Sequence, residues 1–163
     1  MIGDRWGATV EEVAARHPCD ALVPAGAVRA DRAISVAAPV GLVFRWLCQL
    51  RAAPYSYDWL DNRGRRSPAE LTLGLDDLRA GQRFMTLFRL ACFAPGEHLT
   101  LRSGHATAVT YATRPQAAGT RLAVRVALAL PRWAAAPLVA GDLIMMRRQL
   151  LTLRALAERD AAA

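Results

Sequence analysis

The sequence predicts an α+β fold in which an antiparallel sheet wraps around one long C-terminal helix. Two observations carry this. Between Gln82 and Leu130 apolar residues recur at every second position, and Pro95-Gly96, Arg102-Ser103-Gly104 and Pro115 to Gly119 interrupt the run. That is the pattern of consecutive strands joined by short turns, with one apolar face. From about Leu138 to Glu158 the period becomes helical. Leu143, Met145, Met146, Gln149, Leu150, Leu153, Leu156 and Ala157 share one broad face, and Arg147, Arg154 and Glu158 occupy another. A sheet with one apolar face must cover it, and this helix is the largest predicted element.

In chain order, Thr9-Val10-Glu11-Glu12 reads as a capping box opening a short helix that Pro18 closes. Residues 19–27 form a loop, so 1–27 is expected to be an N-terminal helix-and-loop extension. Val28, Ala30, Arg32, Ile34 and Val36 then alternate as a first strand. Pro39 precedes Val40, Val43, Phe44, Leu47 and Leu50 at helical spacing, an amphipathic helix of about three turns. Ser67-Pro68-Ala69-Glu70 reads as a second capping box with a short helix behind it, limited by Gly74 and Gly81. In the meander, Phe84, Thr86, Phe88, Leu90 and Cys92 are expected to share a face. Leu99 with Leu101, Val109 with Tyr111 and Thr113, and Leu122 to Leu130 supply the later strands. Pro131 and Pro137 bracket a predicted loop before the terminal helix. Ile144 and Leu151 stand off its main stripe and are expected to receive the N-terminal helix in preference to a second subunit. Residues 28–158 are thus read as a single domain and 159–163 as a frayed tail.

At 163 residues the chain suits one domain, able to bury about 70% of its unfolded surface. Its apolar runs are broken by Arg125, Pro131, Arg132 and Pro137, short of the ~20 residues a membrane span requires. The first residues carry Asp4, Arg5, Glu11 and Glu12 and show no secretory signal, which makes cytoplasmic residence the expectation. Cys19, Cys48 and Cys92 share no metal or redox spacing and are read as reduced thiols. The net charge is +7, and all 21 basic residues are arginine. They are scattered; only Arg63, Arg65 and Arg66 cluster, which argues against a nucleic-acid stripe.

The residues richest in chemistry lie between the two early helices, in Pro54-Tyr55-Ser56-Tyr57-Asp58-Trp59-Leu60-Asp61-Asn62 and on through Arg65-Arg66. Aromatic faces with a few polar groups suit a cavity wall. Tyr57, Trp59 and Asn62 are candidate ligand contacts from this segment. Strand parity adds Phe84, Thr86, Phe88, Leu99, Leu101, Val109, Tyr111 and Val124 from the sheet, and the helix adds Met145, Met146 and Gln149. Asp58 is a weak candidate proton acceptor, with Tyr57 or Arg65 as stabiliser of a developing oxyanion. The competing reading gives Asp58 and Asp61 to turns and ion pairs. Asp142, following Gly141, is read as capping or breaking the last helix. Neither metal-ligand spacing nor a nucleotide-binding glycine motif occurs, so no metal and no cofactor is expected.

The passage Arg32-Ala33-Ile34-Ser35-Val36-Ala37-Ala38-Pro39-Val40-Gly41-Leu42-Val43-Phe44-Arg45-Trp46-Leu47 resembles the opening of the START/Bet v 1-like (SRPBCC) superfamily. So does the closing helix with Gly141-Asp142-Leu143. The resemblance runs from about Val28 to Ala157. It implies a helix-grip fold, a cavity for an apolar or amphipathic small molecule, and in some members polyketide cyclisation or dehydration. Three functions follow as expectations: a hydrophobic-ligand binder, a cyclase- or dehydratase-like enzyme using Tyr57-Asp58-Trp59, or an arginine-rich surface module. Either a monomer or a homodimer is compatible with the sequence.

Overall fold

A computed structural model of the chain describes residues 3–57, 59 and 64–163. Seven strands form one sheet: β1 (Arg5–Trp6), β2 (Val28–Val36), β3 (Arg83–Phe84), β4 (Phe88–Ala94), β5 (His98–Ser103), β6 (Thr107–Gln116) and β7 (Gly119–Leu128). Their order is β1-β2-β7-β6-β5-β4-β3, antiparallel except for the short β1–β2 pair. Helix α1 spans Val10–Ala14, α2 Val40–Cys48 and α3 Arg132–Ala161. This is an α+β helix-grip arrangement. No helix among the described residues is long and apolar enough to cross a membrane.

Strand parity decides the core. Ala30, Ile34 and Val36 of β2 face inward with Leu122, Val124, Val126 and Leu128 of β7, and with Val109 and Tyr111 of β6. Helix α2 brings Val43, Phe44, Trp46 and Leu47 to the same core, and α3 brings Val139, Met146, Leu150, Leu153 and Ala157. At the β6–β7 turn Gly119 holds a φ of 132°, and a Cβ there would lie 2.2 Å from the Val36 carbonyl oxygen. Only glycine lets that turn pass so close beneath β2.

The sheet's outer face is covered by the N-terminal segment. Thr9 and Glu12 form the predicted capping box of α1. Asp31 and Arg125 sit directly opposite each other on β2 and β7, joined at 2.8 Å. Arg125 is almost wholly buried and also donates to Asp20 and to the carbonyls of Ala15, Glu12 and Val13. Arg121 grips Glu12 from the same strand at 2.7 Å. Helix α1 therefore lies on the outer sheet face. The expected packing of α1 against Ile144 and Leu151 is corrected, because these two arginines project outward and hold the segment there.

Four further expectations are corrected. The predicted helix behind Ser67 is absent: 65–80 is turns, bends and irregular chain. Side chains claim that backbone instead. Gln49 donates to the Thr72 carbonyl and accepts from its N–H, and Arg51 donates to the carbonyls of Gly74, Leu75 and Asp77. Residues 82–92 are two strands, not one, because Met85 and Thr86 take positive φ values and turn the chain between Phe84 and Phe88. Cys92 leaves the face of Leu90, since a bulge at Ala91 shifts the β4–β5 register and turns Phe93 inward. Finally, α3 starts at Arg132, with Pro131 at its N-cap and Pro137 inside it. Three consecutive alanines favour helix there, and the N–H that Pro137 lacks would have served the carbonyl of exposed Trp133.

Candidate functional site

Between the inner sheet face and α3 lies a cavity of about 650 Å³. The β3–β4 turn closes one side with Met85, Thr86, Leu87 and Phe88; β6 and β7 supply Thr107, Val109, Tyr111, Val126 and Leu128. From α3 come Leu138, Asp142, Met145, Met146 and Gln149, and the chain after α2 adds Pro54 and Ser56. Leu87 and Leu138 are exposed, so they mark the mouth.

Sequence-predicted candidates divide cleanly. Thr86, Phe88, Val109, Tyr111, Met145, Met146 and Gln149 line the cavity. Phe84, Leu99, Leu101 and Val124 are buried in the solid core and do not border it. They share the inward parity, but they sit where α2 and the neighbouring strands fill the space. Tyr57 borders a different groove, with Trp6, Leu143, Ile144, Arg147 and Leu151, and Trp59 is 74% exposed. Arg65 is also exposed. Asn62 and Asp58, with Leu60, Asp61 and Arg63, lie outside the described residues. The part of the aromatic segment that reaches the cavity is its start. Tyr55 is buried at a positive φ and meets Trp46 edge-on at 6.0 Å. That packing leaves Pro54 and Ser56 on the cavity wall.

Two polar groups of the wall satisfy each other. The Tyr111 hydroxyl donates to Gln149 Oε1 at 2.7 Å, and Gln149 Nε2 donates to the Pro54 carbonyl at 2.6 Å. Burial pushes the Tyr111 phenol far up, so it remains a donor.

Asp142 is the residue that sequence reasoning misplaced. It sits within α3, one turn before Met146, with its side chain 28% exposed. Arg32 from β2, wholly buried on the inner sheet face, approaches Asp142 Oδ2 at 3.4 Å. The other Arg32 contacts are to the carbonyls of Asp4, Asp31 and Val139. Burial pushes the Asp142 carboxyl up to about 6, although Arg32 pulls the other way. The sequence did hold a signal. Arg32 occupies an inward position of an apolar strand, and a buried guanidinium calls for a carboxylate across the core.

Neither a protein-family model nor a curated protein matches this chain. Solved structures do. Protein SSP2350 from Staphylococcus saprophyticus aligns with a TM-score of 0.57 at 13% identity, over 82% of this chain and 93% of its own. Protein NE0264 from Nitrosomonas europaea aligns at 0.56 and 15%, over 86% of this chain and 100% of its own. The di-domain aromatase/cyclase StfQ from the steffimycin biosynthetic pathway aligns at 0.49 and 17%, over 84% of this chain and 52% of its own. At such identities the likeness concerns the fold, and the first two matches carry it.

Proposed function

We propose that this protein binds a hydrophobic or amphipathic small molecule between its sheet and its C-terminal helix. The observation that carries the reading is the cavity of about 650 Å³ whose wall is mostly Phe, Val, Leu and Met. Drug-sized ligands occupy spaces of roughly 300–1,000 Å³ with this kind of lining. A few polar groups within it suit orientation of one end. The kinship with the START/Bet v 1-like superfamily belongs to the same proposal. It is supported by the run of β2 through Pro39 into α2, over the residues that resemble that superfamily's opening.

Titration with a lipophilic fluorescent dye tests it. The dye binds the native protein with saturation, and Met145→Trp, which fills the cavity from the half-buried helix wall, weakens uptake at least tenfold while thermal melting stays cooperative. Absence of saturable uptake of the dye, and of apolar adducts in native mass spectrometry, overturns the reading.

The cyclase- or dehydratase-like alternative through Tyr57-Asp58-Trp59 draws no support from the geometry of Tyr57 and Trp59, neither of which borders the cavity. The surface-module alternative is weakened by where the arginines go. Arg32 and Arg125 are interior, and Arg121 and Arg51 are engaged by Glu12 and by backbone carbonyls.

A further inference from the structure

We propose that the ligand enters with a hydrogen-bond-donating polar end, a hydroxyl or an amine, directed at Asp142, and that a carboxylate at that end is rejected. This rests on the cavity being a ligand site.

Among the described residues that line the cavity, Asp142 alone carries a formal charge. The two buried polar side chains beside it are already committed: Tyr111 to Gln149, and Gln149 to the Pro54 carbonyl. Asp142 differs. Its contact with Arg32 uses Oδ2 and is long, so Oδ1 takes no part in it. The carboxylate is also not shut away behind its partner, since part of its surface remains accessible on the cavity side. An ionised carboxylate only accepts hydrogen bonds. A ligand group meeting it must bring the proton. Because Arg32 already balances the charge, a neutral hydroxyl serves as well as an ammonium. A second carboxylate would bring like charges together in an apolar enclosure, which is the costly arrangement. Arg32 does not line the cavity, its two terminal nitrogens are directed to Asp142 and to the carbonyls of Asp4, Asp31 and Val139, and its unpartnered Nε is buried, so it does not reverse this preference. The net charge of +7 favours anions at long range, so selection against an anionic head has to come from the site itself.

The test compares decanol, decylamine and decanoate, which share one chain and differ at the head. Calorimetric titration is run at about pH 8, well above the value of about 6 to which Asp142 is lifted, so that the side chain is ionised. Decanol and decylamine are expected to bind the native protein at least about tenfold tighter than decanoate, the size of one hydrogen bond to a charged acceptor. Asp142→Asn is expected to bring the three within about threefold of one another. The native series already decides without any variant: decanoate binding as tightly as decanol overturns the inference and leaves the cavity reading standing. A preference that survives intact in a folded Asp142→Asn protein also overturns it, since another group then reads the head. If none of the three binds, the cavity reading fails and this inference falls with it.

Discussion

Tyr111 on β6 and Gln149 on α3 are joined hydroxyl to amide at 2.7 Å, and the same amide holds the Pro54 carbonyl at 2.6 Å. Sheet, terminal helix and the chain leaving α2 thus meet through one buried side chain. Both bonds depend on Gln149.

Removing that side chain is expected to cost more than removing the phenol. Tyr111→Phe leaves one amide oxygen without its donor and should lose about 1–2 kcal/mol; Gln149→Leu strands both the hydroxyl and the carbonyl and should lose about 2–4 kcal/mol. Because the two share one bond, the double variant should lose less than the sum. Urea unfolding of the four proteins measures this; additive losses would mean that the bond contributes nothing.

Arg125→Met is expected to release the N-terminal segment. The change leaves Asp31 buried without its cross-strand cation and bares the carbonyls of Ala15, Glu12 and Val13. Loss of one partner of a buried pair costs about 3–5 kcal/mol. Hydrogen exchange should therefore rise over 10–22 well before it rises in β6 and β7, and trypsin should cut at Arg16. Uniform exchange with native-like stability would refute this.

Asp142 should give stability a recognisable pH dependence. Its folded-state value of about 6 lies above the ordinary 3.8, so the folded protein holds the proton more tightly than the unfolded chain. The native state is favoured at low pH, and that advantage drains away as pH rises from about 4 to about 6, staying flat above. The whole effect is on the order of 2–3 kcal/mol. Asp142→Asn removes it, so the stability difference between native protein and variant should shift in the variant's favour across that window. Glu12, held low by Arg121, works in the opposite direction as its pH window is crossed, which is why the difference, and not either curve, is the quantity to follow.

Much of this architecture is written in periodicity. The alternation in β2, β5, β6 and β7 and the stripe of α3 place the core because burial on one face leaves little freedom of register. What periodicity misses is contact at a distance. Ser67-Pro68-Ala69-Glu70 has the local chemistry of a helix start, but Gln49 and Arg51 claim the following backbone at Thr72 and around the Gly74–Leu75 turn. The aromatic segment draws attention through composition, yet Pro54 and Ser56, its least conspicuous residues, are the ones on the cavity wall. Asp142 was hidden because its role depends on Arg32, which lies 110 residues away in the chain.

The displaced register at Ala91 has a practical consequence for anyone altering β4. Beyond that point the ribbon is inverted, with Phe93 turned to the interior and the Cys92 thiol to solvent. Excising Ala91 alone would leave Leu90 opposite Leu101, Cys92 opposite Thr100 and Phe93 opposite Leu99 in an unbroken ladder, so the strand's side chains would keep their present faces. The bulge absorbs one surplus residue, and that slack keeps Leu90 and Phe93 both on the interior side.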